Sequence, residues 1–224
     1  TNTPATRATT ASTTSSPEPG RWRRQRHDKH AQSRARRAKA LFTVLLAIHV
    51  SAGTVSLLSA ALALFQEKGK RLHLNAGNIY FWGMLGVFLT AIPMSMLTGN
   101  IFLFLIAVFS FYLAFAGRRF AKNRTGLAER IDWIAVSLML FSGVGMWGLV
   151  VWFFTQDNSQ YIVLVVFGLL ALILGYADFN AHKSKTAKGK ERIARHLSNM
   201  LGGTIAVVTA VLVVNVQMEP VWVP

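Results

Sequence analysis

The 24 Lys and Arg residues of this 224-residue chain are not spread along it but fall into four blocks. Ten lie before residue 40, three at 68–71, five at 118–130 and six at 183–195, and the long runs between the blocks contain none. A charge at the centre of a bilayer costs about 2.5–3.5 kcal/mol on insertion scales, so apolar stretches cleared of basic residues point to membrane-crossing helices. The composition agrees, with 52% hydrophobic residues, 15% charged and a mean hydropathy of +0.38. The net charge of +15 is therefore read against membrane surfaces: the expected partners are the lipid bilayer and its anionic headgroups, not nucleic acid. The chain has no cysteine, which excludes disulfides, thiolate nucleophiles and cluster ligation by sulfur.

Taken in order, residues 1–20 are almost all Thr, Ser, Ala, Pro and Gly, too poor in apolar surface to offset the entropy of ordering them. A basic segment follows to residue 40, read as a tail on anionic lipid. Its acid-poor composition also resembles an organellar transit peptide. Six apolar spans are then expected at about 41–65, 77–97, 101–116, 133–155, 161–176 and 196–216, which makes the fold an all-α, polytopic transmembrane helical bundle. The domain division is 1–40 tail, 41–217 membrane domain and 218–224 C-terminal tail. In the first span His49, Ala52, Gly53, Ser56, Ser59, Ala60 and Ala63 share one helical stripe, a small and polar face that lets a neighbouring helix approach closely. His49 is thereby expected to point into the bundle. Tyr80 and Trp82 are expected at headgroup depth, the Phe-rich third span against lipid, and Gly143, Gly145 and Gly148 on a thin packing surface of the fourth.

With six crossings, the loops at 66–76, 117–132 and 177–195 share one side and hold 14 basic residues, while the turns near Gly99 and Asn158 hold none. The positive-inside rule makes those three loops cytoplasmic. The ten basic residues of the tail oppose that orientation. The three loops are preferred because each is short enough for the rule to apply and they agree independently; cleavage of the tail would remove the conflict.

His49 with Gly53, Lys68-Gly69 followed by His73 and Gly77, Tyr80 to Met84, Phe111-Tyr112 with Gly117-Arg118, Asp132-Trp133, Phe167-Gly168, and His196 with Met200, Thr209 and Val213-Val214-Asn215 together resemble a family of multi-pass bacterial membrane proteins, domain of unknown function 2306. The resemblance runs from about residue 41 onward. It implies a membrane bundle with three recurrent histidines and no assigned activity. It also implies one more apolar helix beyond the Val-Trp-Val-Pro end of this chain.

The sequence holds no phosphate-binding glycine loop, no Gly-x-Ser-x-Gly elbow, no His-Glu-x-x-His and no paired carboxylates within a span. Hydrolase and kinase readings have no support, and no catalytic residue is assigned. Three readings stay open. The chain is an accessory or structural subunit docking on a larger membrane complex through its small-residue stripes. Alternatively His73 and His196, with Met200 as a substitute ligand, hold a b-type haem near the basic loops, with Lys70, Arg71, Lys190, Arg192 and Arg195 available to its propionates. In the third reading the chain is a small-solute or proton-coupled transporter with His49 as its intramembrane proton site. Rise per residue places His49 toward the opposite side of the membrane from His73 and His196, so it cannot share a metal with them.

Overall fold

The computed structural model describes residues 21–157 and 160–215. The expected disorder at 1–20, the C-terminal tail at 218–224 and the centre of the turn at Asn158 lie outside the described residues. Six helices run in order: α1 (Arg21–Phe65), α2 (Arg71–Thr98), α3 (Ile101–Lys122), α4 (Arg130–Thr155), α5 (Gln160–Lys183) and α6 (Gly189–Asn215). No strand occurs among the described residues. Helices α1 to α5 are long and apolar enough to cross a membrane. Helix α6, which carries the sixth expected span, is not among those five found among the described residues; Lys190, Glu191, Arg192 and Arg195 lie in its first two turns.

The chain divides into two compact units at Leu41 and Phe42. In the first, the described basic residues are helical, where the sequence reading has a tail. Ala, Arg, Lys and Gln dominate residues 26–40, and all four rank high in helix propensity.

In the second unit the expected basic loops shrink to 66–70, 123–129 and 184–188. The helices outrun their apolar stretches because the flanking residues are good helix formers, and they stop at specific devices. Gly99 closes α2 in the left-handed region at φ 64°, returning its N–H to the Ser95 and Met96 carbonyls, a conformation that suits glycine. Asn100 caps α3 by accepting from the Leu103 N–H at 3.2 Å. Glu129 and Asp132 form a reciprocal capping box on α4, and Asp132 also takes both Nε and Nη2 of Arg119 at 2.7 Å. That fork ties the end of α3 to the start of α4 across the short loop.

Helix α3 is the centre of the bundle. It touches α2, α4, α5 and α6, while α4 and α5 pack as a pair beside it. Phe102, Phe109, Tyr112, Leu113, Ala116 and Phe120 are all buried along it, which overturns the lipid-facing expectation for its Phe-rich sequence. Inside and outside are equally apolar in a bilayer, so aromatic content does not tell them apart. What does tell them apart is the inverted pattern on α1: Ser56, Ser59 and Ala60 are buried, while Ile48, Val55, Leu58 and Leu62 are exposed. Of the glycines on α4, a Cβ on Gly143 would stand about 3 Å from Leu172 and Ala171 of α5, whereas one on Gly148 would meet nothing within 4 Å.

Candidate functional site

His73 lies in the first turn of α2 and His196 in the second turn of α6. Each is held by a backbone carbonyl. His73 Nδ1 donates to the Ala63 oxygen at 3.0 Å, one of the carbonyls that the end of α1 leaves without an intrahelical partner. Lys68 Nζ donates to the same oxygen and to that of Leu64, so the end of α1 is closed by two side chains of the next segment. His196 Nδ1 donates to the Gly117 oxygen of α3 at 2.8 Å. A carbonyl oxygen can only accept, which fixes the proton of each ring on Nδ1 and leaves the lone pair on Nε2. The two rings stand 6.4 Å apart between centroids with their planes at 89°. The structure brings these two histidines together from different helices.

Both rings line a cavity of about 60 Å³, together with Lys68, Tyr80, Met200 and Thr204. Tyr80 sits two turns below His73 and is 2% exposed, while Trp82 is exposed. The Tyr80 hydroxyl is enclosed beside Thr204, whose own hydrogen goes to the Met200 carbonyl at 2.9 Å, and no hydrogen bond of ordinary geometry closes on the phenol. An unanswered polar atom in so buried a place costs about 1–3 kcal/mol. Two glycines make the room. A Cβ on Gly203 would stand 2.6 Å from the Tyr80 hydroxyl, and one on Gly117 would stand 2.9 Å from Met200 Cγ. Met200, one turn beyond His196, thus lies against the same stretch of α3 whose carbonyl orients His196.

His49 is elsewhere. Its Nδ1 and the Thr90 hydroxyl of α2 are 2.9 Å apart, so α1 and α2 are joined by a polar contact at that level, and His49 does not line the cavity.

A haem fits this site in its ligands and not in its space. Two imidazoles bound on opposite sides of one metal, at about 2 Å per metal–nitrogen bond, have centroids about 6 Å apart, close to the separation found. A cavity of about 60 Å³ is nevertheless far below the roughly 300–1,000 Å³ of pockets that enclose molecules of that size. The basic residues expected for the propionates are also largely engaged. Lys70 pairs with Glu67, Arg192 donates to the Phe120 and Ala121 carbonyls at the end of α3, and Arg195 pairs with Glu191 and Asp178.

A second polar cluster escaped the sequence reading. Asp178, 1% exposed on α5, accepts from the Tyr112 hydroxyl of α3 at 2.8 Å and from Asn199 Nδ2 of α6 at 3.1 Å, with Arg195 at 3.6 Å. His182, one turn on, stacks on Phe120 at 5.1 Å. The loop assigned to 177–195 hid this cluster. The available signal was a lone acid following an apolar run in phase with it. Among the described residues no three His, Cys, Asp or Glu converge as a metal site. No protein-family model, curated protein or solved structure matches the chain.

Proposed function

We propose that the chain is an integral membrane protein that crosses the bilayer six times, belongs to the family its residues resemble, and serves as an accessory subunit docked on a larger membrane complex. The sixth crossing is α6 from Leu197 to Asn215. That stretch carries no Asp, Glu, Lys or Arg and measures about 28 Å at 1.5 Å per residue, close to the thickness of a bilayer core. The basic ends of the helices lie on the cytoplasmic side of a bacterial inner membrane by the charge rule.

The observation that carries the subunit reading is an outward-opening groove lined by Ala47, Ser51 and Ala52 of α1 and Gly83 of α2, edged by Ile48 and Val55. In lipid no hydrophobic force drives helices together, so a strip of small residues open to the outside is where a further helix gains close packing. A photo- or cysteine crosslinker placed at Ser51, in native membranes, tests this. One discrete heavier adduct containing a different membrane protein is expected from Ser51 and not from Leu103 on α3. A chain that gives no adduct from Ser51, or only adducts with lipid, overturns the reading.

A further inference from the structure

We propose that His73, His196 and Met200 form a site for a single copper(I) ion in the cavity that Tyr80 also lines. The proposal stands on the cavity and not on the docking reading above.

Three observations converge. The first is the ring geometry: both imidazoles are locked by carbonyls in the tautomer that leaves Nε2 free, and outer hydrogen bonds of this kind are what hold metal-binding histidines in place. Their 6.4 Å separation suits a near-opposed pair on one ion. Four-coordinate tetrahedral placement, which zinc favours, would bring the rings closer, to about 5 Å.

The second is the donor chemistry. The cavity offers imidazole and thioether and is lined by no carboxylate, and the chain has no thiolate. A wholly neutral ligand set leaves a divalent charge uncompensated where water is scarce. Soft sulfur and imidazole donors suit copper(I), which brings only one charge. Lys68, the cation on the cavity wall, has its ammonium turned to the Ala63 and Leu64 carbonyls.

The third is independent of the ring geometry. The Tyr80 phenol is buried and lines the same cavity, where Thr204 is its near polar neighbour and no hydrogen bond of ordinary geometry closes on it; a water held by the ion would give it a partner. The volume agrees as well, being room for an ion with a few waters and not for a porphyrin.

The test uses the full chain in mild detergent, titrated without oxygen with copper(I) against bicinchoninate as a coloured competitor. One equivalent per chain is expected to leave the competitor, and X-ray absorption is expected to show two imidazole nitrogens and one sulfur around the copper. His73→Ala and His196→Ala should each weaken binding by about 100-fold or more, at or beyond the limit of what outer-shell changes do, while His49→Ala leaves it unchanged. Should an alanine variant fail to fold, the absorption spectrum of the unaltered protein still decides. No copper withdrawn by the folded protein, a first shell without sulfur, or full binding in the double alanine variant overturns the site. So does a Soret band in protein from haem-fed cells that vanishes in His196→Ala, which would put a haem on the same ligands. Copper binding can fail while the crosslink from Ser51 succeeds, and the reverse, so the two proposals are judged separately.

Discussion

At the scale of single residues, the helices are set by what small side chains permit. Gly83 shows it best: a Cβ there would stand 2.2 Å from the Ser56 hydroxyl and 3.1 Å from the Ala52 carbonyl, so α1 and α2 meet backbone to backbone at that level. Gly83→Ala is expected to cost about 1–3 kcal/mol by overpacking. Gly148→Ala, with nothing within 4 Å of the new methyl, should be neutral or gain up to about 1 kcal/mol from helix propensity. Thermal unfolding of both variants in one detergent checks the pair; equal effects would mean the close approach at Gly83 is absent. The stripe on α1 that contains His49 was legible in sequence, since Ser56, Ser59 and Ala60 repeat at helical spacing and are buried. The burial of Tyr80 was not legible. An amphipathic ring suits an interface or a polar cavity equally, and only the glycine opposite it on α6, Gly203, decides between them.

At the scale of elements, helices α3, α5 and α6 are pinned at their basic ends by the carboxylate of Asp178, which Tyr112, Asn199 and Arg195 share. Removing a carboxylate so engaged leaves the buried Tyr112 hydroxyl unanswered and takes from Asn199 and from Arg195 one of the two partners that each has. Asp178→Ala is expected to destabilise the protein by about 3–5 kcal/mol. Tyr112→Phe should cost less, and the double variant should fall short of the sum by about 0.5–3 kcal/mol because the two residues share one interaction. Strict additivity in the unfolding measurements would show that the hydroxyl and the carboxylate do not meet. The number and order of the helices were legible because charge and hydropathy alternate along the chain. Their ends were not, because Arg, Lys, Ala and Glu beyond each apolar run extend a helix as readily as they form a loop. Asp178 and the first turns of α6 up to Arg195 were lost to that ambiguity.

At the scale of the whole molecule, one arrangement ties the parts together: every basic helix end on one side of a bilayer, every turn without basic residues on the other, and the histidine pair at the basic side. The copper(I) site, the capped ends of α1 and α3, and the Asp178 cluster all belong to that side in this arrangement. The positive-inside rule applied to the three short loops puts the basic ends in the cytoplasm, while the basic segment before residue 40 argues the other way. Helix α6, apolar only from Leu197 onward, decides whether the crossings number six. The chain contains no cysteine, so single cysteines can be introduced without background and probed in intact cells with a membrane-impermeant maleimide. The account predicts labelling from outside at Gly99→Cys and Asp157→Cys, and protection until the membrane is opened at Gly69→Cys, Thr125→Cys and Lys185→Cys. Labelling of any of the three basic-loop positions together with Gly99→Cys in sealed cells would contradict it.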